Sequence, residues 1–167
     1  MKVLILGATG MLGYSLFSNL NEHASLSVFG TVRSIAGKES FFCNIEQQLI
    51  TGVDAYDISS VELAIETVAP DVVINCVGLI KQHGISKQHI DAVKINALLP
   101  HELANICDQF NAKLVHFSTD CVFTGDVGLY NEDSLPDACD LYGKSKCLGE
   151  VGYGKHLTLR TDRKSVV

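Results

Sequence analysis

Tyr142 and Lys146 stand four positions apart in Leu141-Tyr142-Gly143-Lys144-Ser145-Lys146. That spacing puts both side chains on one face of a helix. A free tyrosine has a pKa of about 10. A lysine ammonium beside it favours the phenolate and brings that value toward working pH. Such a tyrosine can give a proton to a carbonyl oxygen or take one from an alcohol. The lysine has a second task open to it, donating hydrogen bonds to the ribose hydroxyls of a cofactor. Thr119 follows the apolar run Lys113-Leu114-Val115-His116-Phe117 and Ser118. Its hydroxyl is placed to polarise the same substrate oxygen. Y-x-x-x-K alone also occurs on ordinary surface helices. The reading here rests on its conjunction with a hydroxyl after a buried strand and with a glycine turn at the N-terminus.

That turn is Gly7-Ala8-Thr9-Gly10-Met11-Leu12-Gly13, directly after Val3-Leu4-Ile5-Leu6. An apolar run without alternation, closed by glycines, reads as a buried parallel strand entering a helix. Gly7 and Gly10 permit the turn and let backbone approach a pyrophosphate, and Gly13 lets the helix pack closely on the strand. The helix then aims its free N–H groups and positive dipole end at the phosphates. The spacing is G-x-x-G-x-x-G rather than the general G-x-G-x-x-G, and a glycine-rich turn without a ligand is the alternative.

An NAD site usually has an acidic residue about 20 positions beyond the glycines, on the ribose 2′-hydroxyl. Here the stretch reads Gly30-Thr31-Val32-Arg33-Ser34, with no acid. Arg33 suits a 2′-phosphate instead, which favours NADP(H) and leaves NAD(H) open. A solvated surface arginine is the other reading.

The elements that must position these groups alternate along the chain. A first helix is expected over Met11–Leu20, with Leu12, Leu16 and Leu20 lining one face. A strand follows over Leu26–Val32. Residues 34–52 are weakly patterned, and Gly52–Asp57 reads as a short strand and turn. Ser59 and Glu62 form a capping box for a helix whose apolar face is Val61, Ile65 and Val68, and Pro70 marks its exit. Asp71–Gly78 is a further buried strand. Gly78, at the carboxyl end where such sheets bind ligands, would let a cofactor ribose or nicotinamide pass close, or simply ends the strand. Residues 90–110 are helical, either kinked at Pro100 or divided there with Pro100 in a first turn. Asn96 in that stretch is either functional or exposed. Helix Leu141–Val151 and strand Leu157–Arg160 complete an open, mostly parallel, doubly wound α/β sheet with helices on both faces.

A length of 167 residues and 47% apolar content fit one globular domain. A net charge of −6 without a basic cluster argues against nucleic-acid or anionic-membrane partners. No run reaches membrane-spanning length and the N-terminus is no signal peptide, so a cytoplasmic location is expected. The six cysteines lack metal or redox spacing, so they are read as reduced and structural, with no metal.

Taken together, these segments resemble an extended short-chain dehydrogenase/reductase, and more narrowly the dTDP-4-dehydrorhamnose reductase group. The resemblance is carried by the glycine turn, Asp71-Val72-Val73-Ile74-Asn75-Cys76-Val77-Gly78, Ile95-Asn96-Ala97, His116-Phe117-Ser118-Thr119-Asp120-Cys121-Val122-Phe123, and Tyr142-Gly143-Lys144-Ser145-Lys146 with Gly149-Glu150. Leu157-Thr158-Leu159-Arg160-Thr161 also fits. It implies a Rossmann-type fold over 1–161 and NADPH-dependent reduction of a 4-keto sugar on a nucleoside diphosphate. Thr119, Tyr142 and Lys146 would be the catalytic trio. Gly7, Thr9, Gly10, Met11, Leu12, Gly13, Arg33, Cys76, Val77, Gly78 and Asn96 would contact the cofactor together with Tyr142 and Lys146, and Asp57-Ile58 would lie near adenine. A homodimer is the candidate assembly. The same resemblance leaves open a sugar-nucleotide epimerase or dehydratase, and a non-catalytic regulatory subunit like that of methionine adenosyltransferase. Members of the group continue for about as long again, with a part that binds the sugar nucleotide. That part is expected to be absent here, leaving cofactor binding with negligible turnover. Asp162-Arg163-Lys164-Ser165-Val166-Val167 is what GAT-CGG-AAG-AGC-GTC-GTG encodes, a string matching a sequencing adapter. Residues 162–167 are therefore expected to be a non-native tail.

Overall fold

A computed structural model describes residues 1–79 and 89–161. The tail at 162–167 lies outside the described residues. Six strands pair in the order β3-β2-β1-β4-β5-β6: β1 Lys2–Leu6, β2 Ser27–Val32, β3 Leu49–Thr51, β4 Val72–Asn75, β5 Lys113–Thr119 and β6 Leu157–Thr161. Every pairing is parallel. The expected doubly wound sheet is therefore present. Its order reverses between β1 and β4, which makes the carboxyl ends of those two strands the switch point where such sheets bind ligands.

β1 is buried on both faces, which explains its unbroken apolar run. Leu4 and Leu6 join Val73, Leu114, Ile65 and Leu103 under helices α2 (Ile58–Val68) and α4 (Leu99–Gln109). Val3 and Ile5 join Val28, Phe17 and Phe42 under α1 (Met11–Asn21). The inner face of α1 is Gly13 and Phe17, with Leu16 and Leu20 only partly covered and Leu12 exposed. The expected leucine stripe is thus turned. The helix touches β1 at Gly13, and this fixes its rotation.

Other boundaries also move. β3 precedes Gly52, which turns the chain at φ +79°. The weakly patterned stretch before it holds two short 3-10 turns, Glu39–Phe42 and Glu46–Gln48, and buries Phe42. α2 begins at Ile58 with Asp57 as its N-cap, so the Ser59 capping box does not form. Ser60 instead ties the start of the helix to the preceding turn. Its hydroxyl donates to the Asp57 carbonyl at 2.7 Å and accepts from the Asp54 N–H at 3.0 Å. The stretch around Pro100 resolves into α3 (His89–Asp91), a π-helical segment Ala92–Leu98, and α4 with Pro100 in its first turn. Thr119 is the last residue of β5 rather than one beyond it. The last helix, α5, is Leu141–Leu148, shorter than expected. Its N-cap Asp140 accepts from the Gly143 N–H at 2.8 Å, as an aspartate N-cap does.

Candidate active site

The turn after β1 is built as its glycines require. Gly7 takes φ +84°, a conformation that a side chain disfavours. A Cβ on Gly13 would overlap the Gly7 carbonyl, so any larger residue would push α1 off the strand. Thr31, at the end of β2, holds the turn from the other side. Its hydroxyl accepts from Gly7 N–H at 3.2 Å and its carbonyl accepts from Ala8 N–H at 3.0 Å. The first turn of α1 has no side-chain cap at Gly10. Its N–H groups are left to an anion or to water.

A cleft of about 380 Å³ opens at the switch point between β1 and β4. Gly7, Thr9 and Gly10 form one wall, Cys76, Val77 and Gly78 the opposite wall, and Arg33 the rim beyond β2. Burial pushes the Cys76 thiol up to about 12, so it is a neutral wall and no nucleophile. Asp54, Ala55 and Tyr56 also line the cleft. Asp57 and Ile58, expected there, stand just beyond that lining at the start of α2. Met11, Leu12 and Gly13 are also outside the lining. Met11 and Leu12 face solvent, and Gly13 acts through helix packing.

β5 and α5 bring the trio together beside this cleft. Thr119 is buried at the end of β5, donating to Asp120 Oδ1 at 3.1 Å and accepting from Cys121 N–H at 3.2 Å. Its hydroxyl also acts on the half-buried Tyr142. Burial pushes the Tyr142 phenol up, while the Thr119 contact works the other way. Tyr142 is thus held as a protonated donor at neutral pH. The expected lowering by Lys146 is not the governing effect, because the lysine is turned to other partners. Its Nζ donates to the Phe117 carbonyl at 2.6 Å and lies 3.4 Å from His116 Nε2. Lys146 is 5% exposed, and burial lowers its pKa to about 8.

Gly78 links the cleft to the trio. A Cβ there would sit 3.5 Å from Asn96 Oδ1 and 3.8 Å from Lys146 Nζ. Asn96 is 1% exposed, which removes the exposed alternative. Its Oδ1 accepts from Leu79 N–H at 2.8 Å, and its Nδ2 donates to the Leu79 carbonyl at 3.2 Å and to Ser145 Oγ at 3.3 Å.

The sequence reading used His116 and Asn75 only as strand positions. Both are fully buried and polar, and they are register partners in adjacent strands. Two polar residues near the carboxyl ends of otherwise apolar strands were the available signal. Among the described residues, no group of His, Cys, Asp and Glu could hold a metal ion, and no helix is long and apolar enough to cross a membrane. All six cysteines are free; Cys107 is buried, while Cys43, Cys121 and Cys139 are exposed.

Strand order, glycine turn and switch-point cleft define a Rossmann-type α/β domain with a threonine–tyrosine–lysine cluster at its carboxyl edge. The chain belongs to the RmlD substrate binding domain family, whose model matches residues 1–162. It is 32% identical to the "Probable low-salt glycan biosynthesis reductase Agl14" of Haloferax volcanii, covering 90% of this chain and 48% of that protein. It is also 32% identical to methionine adenosyltransferase 2 subunit beta of Xenopus laevis, covering 89% of this chain and 41% of that one. Among solved structures, a dTDP-4-dehydrorhamnose reductase of Bacillus anthracis in complex with NADP matches with a TM-score of 0.72 and 29% identity, over 95% of this chain and 52% of that chain. The chain thus spans about half the length of these relatives.

Proposed function

We propose that this chain is the cofactor-binding and proton-transfer part of an NADPH-dependent reductase acting on a 4-keto sugar borne by a nucleoside diphosphate. The observation that carries the reading is the contiguity of the switch-point cleft with Lys146 across Gly78, Lys146 sharing α5 with Tyr142. The cleft fits a dinucleotide. A glycine turn with an uncapped helix start faces one end, and Arg33 lines the cleft, where its guanidinium suits a 2′-phosphate. The Bacillus anthracis relative, crystallised with NADP, supports NADP(H), with NAD(H) as a weaker ligand. When bound, the reduced nicotinamide supplies a hydride.

The residues of this chain do the rest. Gly7, Gly10 and the start of α1 hold the pyrophosphate, and Arg33 holds the 2′-phosphate as a fork on an oxyanion. Tyr142, kept protonated by burial, gives its proton to the carbonyl oxygen as that oxygen becomes an alkoxide. Thr119, which acts on the phenol against the effect of burial, polarises the same carbonyl oxygen. Lys146 stands within reach of both protonation states near neutral pH. Contacts to the sugar are placed in the length that the relatives have beyond residues 1–161. The similarity to methionine adenosyltransferase 2 subunit beta favours a second reading, a regulatory subunit that binds a dinucleotide without turnover.

Fluorescence titration of this chain with NADPH and NADH is the first test, with saturable binding and tighter NADPH expected. No saturable binding would overturn the reading. Tyr142→Phe separates the two readings in a protein of the family's full length. Retained NADPH binding with lost reduction of dTDP-4-dehydrorhamnose supports the reductase, whereas an unchanged rate removes Tyr142 from the chemistry.

A further inference from the structure

A buried polar chain runs behind the trio and ends on Lys146. Val77 N–H donates to Asn75 Oδ1 at 3.0 Å. This fixes the Asn75 amide, so its Nδ2 must be the group that meets His116 Nδ1 at 3.0 Å. An amide nitrogen is only a donor, so Nδ1 accepts. A neutral imidazole carries one proton, which must then sit on Nε2. Nε2 faces Lys146 Nζ at 3.4 Å. An ammonium has no lone pair to receive that N–H, whereas a neutral amine has one. The amine can still donate one of its own protons to the Phe117 carbonyl, 2.6 Å away.

We propose that His116 is a positioning residue for Lys146: locked by Asn75 as the Nε2–H tautomer, it turns a donor toward the lysine and so favours the neutral amine over the ammonium. Burial acts in the same direction. It pushes the His116 imidazole down to about 3, with Lys146 and His101 adding to the effect, so His116 stays neutral and keeps its single N–H. The groups facing this pair are few. Glu150, beyond the end of α5, pulls Lys146 toward the ammonium, and burial outweighs it. His101, from α4, acts on His116. Asn96 lies across the Gly78 position from Lys146 and is uncharged. The catalytic meaning rests on the reductase reading, because only there does Lys146 serve proton transfer at Tyr142. The tautomer and its hold on Lys146 do not depend on that reading.

Long-range 1H–15N correlation spectra of the labelled chain, without cofactor, report the tautomer of each histidine. His116 is assigned by its loss in His116→Gln. Competitive trace acetylation read by mass spectrometry reports the midpoint of Lys146. The expected result is an Nε2–H His116 that does not titrate between pH 5 and 9, and a Lys146 midpoint near 8. Asn75→Asp offers Nδ1 an acceptor in place of a donor. The tautomer should switch to Nδ1–H, and the Lys146 midpoint should rise by one pH unit or more. His116→Gln, whose amide can turn its oxygen to the lysine, should raise the midpoint as well and stands in if the aspartate variant does not fold. An Nδ1–H tautomer in the unaltered chain would overturn the proposal. So would an imidazole titrating near its ordinary value, or a Lys146 midpoint unmoved by both variants. NADPH binding is measured separately on the same samples, so failure here is distinct from failure of the reductase reading.

Discussion

Lys146→Met should make this protein more stable at neutral pH, although it removes a residue of the proposed chemistry. The folded chain lowers the Lys146 pKa from the 10.5 of an unburied lysine to about 8, through burial. Each tenfold change in proton affinity is worth about 1.4 kcal/mol. Keeping Lys146 charged in the fold at pH 7 therefore costs about 3 kcal/mol. Methionine has nearly the same length and carries no charge. The variant loses the charge-assisted hydrogen bond to the Phe117 carbonyl, worth about 1.5–3 kcal/mol. The net gain is up to about 1.5 kcal/mol, and at about 2–4 °C per kcal/mol for a domain of this size the melting temperature should rise by a few degrees. The pH dependence supplies the control. Between pH 8 and 10.5 the folded state binds fewer protons at Lys146 than the unfolded state, so stability of the unaltered chain rises with pH over that window. The advantage of the methionine variant should shrink as that window is crossed. Urea denaturation at pH 7 and at pH 10 measures both effects. A variant less stable than the parent at pH 7, or an advantage independent of pH, would refute the reasoning.

Two further substitutions probe the cofactor side. Gly13→Ala places a methyl group on the Gly7 carbonyl. Because the neighbour is backbone, relief requires moving α1, and urea denaturation should show a loss of about 2–4 kcal/mol, within the range of severe packing mutants. Arg33→Ala should weaken NADPH about tenfold or more while leaving NADH nearly unchanged, since one charge-assisted hydrogen bond is worth about 1.5–3 kcal/mol; equal losses for both would place Arg33 away from the 2′-phosphate.

How much of this was legible in the sequence depended on whether a local rule or a tertiary contact decided the matter. The glycine turn, β1 and the Tyr142–Lys146 pair follow from short-range spacing, and they stand where spacing put them. The inner face of α1 did not follow, because a leucine stripe is a weaker determinant than the one point where Gly13 must meet β1. The α2 cap was misplaced by two residues, from Asp57 to Ser59, where Ser60 bonds back to Asp54 six positions earlier. A capping box considers only its own helix turn. The expected effect of Lys146 on Tyr142 failed for a similar reason. Spacing put the two on one face, but a partner across the sheet, the Phe117 carbonyl, claimed the ammonium. Asn75 and His116 were unreadable as a pair until β4 and β5 were known to be neighbours in that register.

Asn96 shows how the two halves of the site become one piece. Ile95, Asn96 and Ala97 are consecutive and all buried. An α-helix advances about 100° per residue, so three successive side chains cannot share one face. The π-helical turns of Ala92–Leu98 widen the path, as such turns often do at functional sites. Gly149, at the end of α5, leaves the space this widening needs, because a Cβ there would overlap the Asn96 carbonyl. With α5 seated so closely, the Asn96 amide reaches both polar groups of Leu79 and the Ser145 hydroxyl. Leu79 ends the described loop that follows Gly78, and Ser145 precedes Lys146. One asparagine thereby fixes the wall of the cleft to the helix that carries Tyr142, the proposed proton donor. Distances between cleft and donor are then set by buried hydrogen bonds rather than by loop packing, which is what proton transfer to a bound ligand requires.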